Sequence, residues 1–122
     1  MTWSAIGAAA LGLAVILGAF GAHGLRGRLD AYSVGVYERA VFYHFIHALG
    51  ILVVPLLTRT NALRQSSATV VCVLLGAGIL FFSGTLYLLA VTGARWLGAV
   101  APVGGLCFIA AWLVLAVAIL RG

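Results

Sequence analysis

Residues 3–22 read WSAIGAAALGLAVILGAFGA. Twenty residues without one charge are what a helix needs to cross the hydrocarbon core of a bilayer. The run lacks a basic leader, and its apolar stretch exceeds that of a secretion signal, so a retained anchor is expected. Working outward, runs of similar length and character occupy residues 40–57, 68–91 and 98–120. Alternation of period two is absent and the runs are too long for barrel strands, so all four are predicted helices. The predicted fold is all-α: one integral membrane domain over residues 1–122, with four transmembrane helices in an up-down-up-down bundle.

Composition leads to the same place. The chain is 65% hydrophobic and 7% charged, against about 25% charged in soluble domains. A soluble fold of this length leaves too much surface in water to hide that much hydrocarbon. The lipid bilayer is therefore the expected partner. The net charge of +5 comes from seven arginines against Asp30 and Glu38. Each arginine lies at or near the end of an apolar run, where it can reach headgroups. No basic stripe interleaved with exposed aromatics is present, which excludes nucleic acid as a partner. Arg26, Arg28, Arg39 and Arg95 fall on one side, and Arg59, Arg64, Arg121 and the amino terminus on the other. The positive-inside rule therefore assigns no orientation.

The connections are short. The first, His23 to about Glu38, is the most polar, and its later half runs helically into the second span. Ser66 or Ser67 is predicted to cap the third helix. Gly93 is a helix stop and Trp96 an interfacial anchor. Pro102 suits the first turn of the fourth helix, and Pro55 bends or ends the second. Cys72 and Cys107 sit inside apolar runs and read as packing residues rather than a disulfide framework.

Small residues recur where helices would touch. Ala10, Ala14, Gly18 and Ala22 fall four apart on the first span, with Gly21 beside them. The third span carries Ala68, Cys72, Gly76 and Gly84, and the fourth opens with Gly104 and Gly105. In lipid, helices gain by close backbone approach, and such residues permit it. On this reading Gly18→Leu harms assembly more than His44→Ala.

Polar groups at membrane depth are costly and mark sites to inspect. His23, Glu38, Tyr43, His47, Ser83 and Tyr87 form the predicted intramembrane polar cluster, with His23 brought to the second span by the loop between them. His44 and His47 make an HxxH without the adjacent Glu that gives zinc-protease motifs their specificity, so no metal is expected. A proton relay through Glu38, Tyr43 and the histidines would lack any deep carboxylate. Ser83 precedes a glycine but has no GxSxG context. No catalytic residue, cofactor or enzymatic activity is expected.

Four blocks then stand in order: GAFGAHGL at 18–25, YHFIHAL at 43–49, FSGTLYLLAVTG at 82–93 and LGAVAPVGGLCFIAAW at 97–112. Together they resemble the domain-of-unknown-function family four-two-three, small bacterial membrane proteins with an animal transmembrane relative. The matching polar positions are His23, Tyr43, His47, Ser83, Tyr87 and Trp112, whereas His44 matches no block position. Ala101 stands where the family more often has Thr. The resemblance implies a four-helix protein of a bacterial inner membrane and assigns no reaction. Three functions stay open: an accessory subunit or homo-oligomer working by helix association, a small transporter or channel, and a metal or haem site at the histidines.

Overall fold

A computed structural model describes residues 1–122, and every regular element is helical. Helix α1 spans Thr2–His23. Helix α2, Ala31–Val53, begins where the Asp30 carboxylate accepts a hydrogen bond from the Ser33 amide at 2.7 Å. The second span thus starts well before residue 40. The reason lies in its first turns: Val36, Tyr37 and Ala40 are buried and extend the same inward face. A 3-10 turn, Val54–Thr58, carries Pro55 in its first positions and tightens the end of this span.

Helix α3, Gln65–Gly78, continues through a π-helical turn, Ile79–Gly84, into α4, Thr85–Thr92. Together they form one long third span. The serine cap predicted for α3 is not made: the helix starts at Gln65, so Ser66 and Ser67 lie inside its first turn, and Arg64 holds the cap position without a side-chain bond. Gly93 ends α4 in the left-handed region, at φ 72°. After a 3-10 turn, Arg95–Ala99, Pro102 occupies the first turn of α5, Ala101–Arg121.

The four spans alternate in direction. Helix α1 packs mainly on α2, α2 packs on the third span, and α5 packs on the third span while its Phe108 and Trp112 also reach α2. Only 11% and 17% of the most apolar stretches of the outer spans are buried, against 44% and 39% for the inner two. Leu13, Ile16, Leu106, Ile109 and Leu113 are exposed on the outer helices. An apolar belt of this kind has its solvent in lipid. On one membrane face the Arg95 guanidinium lies 5.6 Å over the Tyr32 ring, joining the third connection to the start of α2.

Two apolar cores lie one above the other. One joins Ile51, Val54, Val71, Cys72, Leu75 and Phe108. The other joins Val36, Tyr37, Ala40, Leu86, Leu89 and Ala101. Phe82 packs against both. The closest helix contacts are at glycine. A Cβ on Gly7 would enter the Leu52 backbone, and one on Gly104 the Phe82 backbone. One on Gly21 would enter the Tyr37 ring, and one on Gly78 the Phe108 ring. Other small residues of the predicted faces make looser contacts. A Cβ on Gly18 would meet Val41 Cγ1 at 3.4 Å, while one on Gly84 or Gly105 would have only ordinary neighbours, at 3.7 and 3.8 Å. Ala14 is fully buried and Ala10 half-buried, but Ala22 is exposed. Gly76 has nothing within 4 Å, because the four-residue spacing carries it off the buried row of Ala68, Cys72 and Leu75.

Candidate functional site

Helix α2 carries most of the buried polarity, and its neighbours receive it. Tyr37, Ala40, His44, Ala48 and Ile51 are all buried along one strip of α2. Three or four residues separate each from the next, so they share a helix face. His44 stands in that strip, 2% exposed, with Nδ1 at 2.8 Å from the Tyr87 hydroxyl of α4. The Ala10 carbonyl of α1 lies nearby. The His44–Tyr87 bond ties the second span to the third.

His47 is buried as well, but on a different side. Its Nδ1 lies 2.7 Å from the Tyr43 carbonyl of its own helix, so this nitrogen carries the proton. The ring lies flat on Phe108 of α5, with centroids 3.5 Å apart and planes 11° from parallel. Tyr43 stacks beside it at 5.8 Å, and Trp112 closes the group at 5.8 Å. Tyr43 also touches Phe82, at 4.6 Å between centroids.

Three further hydrogen bonds complete the set. The Ser83 hydroxyl, 0% exposed within the π turn, donates to the Ala40 carbonyl at 2.8 Å. The Tyr37 hydroxyl donates to the Leu17 carbonyl, and the Ser4 hydroxyl to the Leu52 carbonyl at 2.9 Å. Each crosses from one span to another. No buried side-chain nitrogen or oxygen lacks a partner.

Of the six predicted cluster residues, the structure brings Tyr43, His47, Ser83 and Tyr87 to the middle of the bundle. They divide between the two faces of α2 and do not converge on one point. His23 is exposed at the end of α1. The antiparallel register puts Ala10 beside His44, so His23, thirteen residues further on, lies about 20 Å along the axis from that level. Glu38 is exposed and lines a 300 Å³ cavity shared with Arg26 and Gly21. No three His, Cys, Asp or Glu side chains gather in a metal-sized group. Cys72 and Cys107 are free thiols. His44, Tyr37 and Ser4 were outside the predicted set. For His44 and Tyr37 the signal was present, in their helical spacing with Ala40 and Ala48.

Length, an apolar exterior and four alternating spans define a small polytopic helical membrane protein. Comparison with known proteins specifies it further. The family model "Protein of unknown function (DUF423)" matches residues 17–105. A UPF0382 membrane protein of Staphylococcus epidermidis is 47% identical over 109 residues, covering 89% of this chain and 87% of its own. UPF0382 membrane protein YwdK of Bacillus subtilis is 45% identical over 109 residues, covering 89% and 88%. The chain belongs to the DUF423 family of bacterial membrane proteins. No solved structure matches it.

Proposed function

We propose that this chain is a non-enzymatic protein of the bacterial inner membrane that works by helix association, as an accessory subunit or a homo-oligomer. The observation that carries this reading is the complete pairing of its buried polar groups: Ser4, Tyr37, His44 and Ser83 each bond another span. Groups so engaged hold helices together. A second observation points outward. Ala5, Ala8 and Gly12 line up on the exposed side of α1, and a Cβ on Gly12 would meet nothing within 4 Å. Such a row suits close approach by another helix.

The test is to tag the protein at its natural level, extract it in mild detergent and identify co-purifying chains by mass spectrometry. A stoichiometric partner or a self-complex is expected. It should be lost in Gly12→Leu while the helical circular dichroism of the purified variant stays unchanged. A monomer that carries a solute or ion flux in liposomes would overturn the reading and favour a small transporter, which the near-even split of arginines between the two faces also accommodates.

A further inference from the structure

A second cavity lies at the opposite membrane face from Glu38. It has a volume of about 580 Å³ and opens between the start of α3 and the end of α5. Arg64 and Arg121 stand at its mouth, and Ser67 lines its wall. Leu113, Val117 and Ala118 form its apolar floor. Leu113 is eight residues from Arg121, so the floor reaches about 12 Å from headgroup level toward the hydrocarbon. Both acids of the chain, Asp30 and Glu38, lie at the other end of the molecule. No acidic side chain therefore stands among the residues that line the crevice with the two guanidiniums. Arg64 caps α3 without a side-chain bond, so the amides of its first turn also point toward this end.

We propose that this crevice binds one anionic phospholipid drawn from the surrounding leaflet, its phosphate held by Arg64 and Arg121 and an acyl chain laid along Leu113, Val117 and Ala118. The chemistry selects the occupant. Paired guanidiniums match phosphate oxygens bidentately, and a crevice both basic at the rim and apolar below suits a phosphodiester with a hydrocarbon tail. A zwitterionic lipid would place its own cation against the two arginines and gain less. The site stabilises the junction of the two spans whose ends it joins.

Native mass spectrometry of the delipidated protein, titrated in turn with phosphatidylglycerol and phosphatidylcholine, tests this. Wild type is expected to retain phosphatidylglycerol in preference, with the preference falling about fivefold for Arg64→Gln or Arg121→Gln and further for both. Arg26→Gln with Arg28→Gln, on the other face, should leave it unchanged. Circular dichroism melts of all variants separate lost binding from lost fold. Equal retention of the two lipids by folded wild type, or an undiminished preference in the folded Arg64→Gln/Arg121→Gln variant, would overturn the proposal. So would displacement of the lipid by equimolar inorganic phosphate, which would make the site one for a free anion.

Discussion

His44 and His47 stand three residues apart on α2, and their surroundings have almost nothing in common. His44 is hydrogen-bonded to Tyr87 of the neighbouring span. His47 turns its polar edge back to its own helix and presents its flat face to Phe108. A step of three residues rotates a side chain by about 60°, enough on one helix to pass from one interface to another. One imidazole works as a hydrogen-bonding clamp and the other as an aromatic plate. Proximity in sequence, which suggests a shared HxxH site, is undone by helix geometry.

The comparison can be broken most forcefully at the plate. His47→Ala should cost about 2–4 kcal/mol of unfolding free energy in mild detergent, because it removes a ring packed among Phe108, Tyr43 and Trp112. A cost near zero would mean that the stack contributes no packing. Next comes the surface on which Phe108 rests. Gly78→Ala would drive a methyl into the Phe108 ring, with an expected loss of about 1–3 kcal/mol. Its control is Gly76→Ala, where nothing lies within 4 Å; relief of glycine's entropy there should leave stability unchanged or raised by up to about 1 kcal/mol. Equal losses at the two glycines would contradict the assigned helix faces.

The smallest effect lies outside the membrane. The Ser33 amide bond holds the Asp30 carboxyl below its ordinary value of 3.8. A carboxyl depressed in the folded state stabilises above its unfolded value, and the contribution disappears as pH falls through the lower folded value. Asp30→Ala should therefore melt below wild type at neutral pH, and the gap should narrow as the pH is taken under 3.8. A gap constant with pH would remove the charge from the account and leave only the cap's geometry.

Much of the architecture was legible because lipid imposes a coarse rule. Long uncharged runs must be helices, and short connections make them alternate. Gly93 and Pro102 punctuate the chain as their backbone preferences require. What was not legible came from register. The π turn at Ile79–Gly84 adds a residue to one helical turn and leaves no compositional mark, yet Ser83 meets Ala40 inside it. The helical run from Ala31 into the second span was legible, whereas the distance separating His23 from His47 was not. Gly18 and Gly21 both read as contacts of α1; the tight ones fall at Gly21 and at Gly7, which the sequence did not single out. The expected order of damage is accordingly reversed: His44→Ala leaves a buried Tyr87 hydroxyl without its partner, while a side chain at Gly18 first meets the movable Val41 methyl.

The central claim is that the buried polar residues are helix clamps, with His44 the chief of them and His47 a packing element. The most direct measurement is a double-mutant cycle of His44→Phe with Tyr87→Phe, run beside His47→Phe with Tyr87→Phe, by reversible unfolding in detergent. The account predicts that His44 and Tyr87 couple by about 0.6–1.7 kcal/mol. It predicts no coupling of His47 to Tyr87, and a loss under about 1.5 kcal/mol for His47→Phe alone, since phenylalanine preserves the stack. Coupling of both histidines to Tyr87, or of neither, would contradict it.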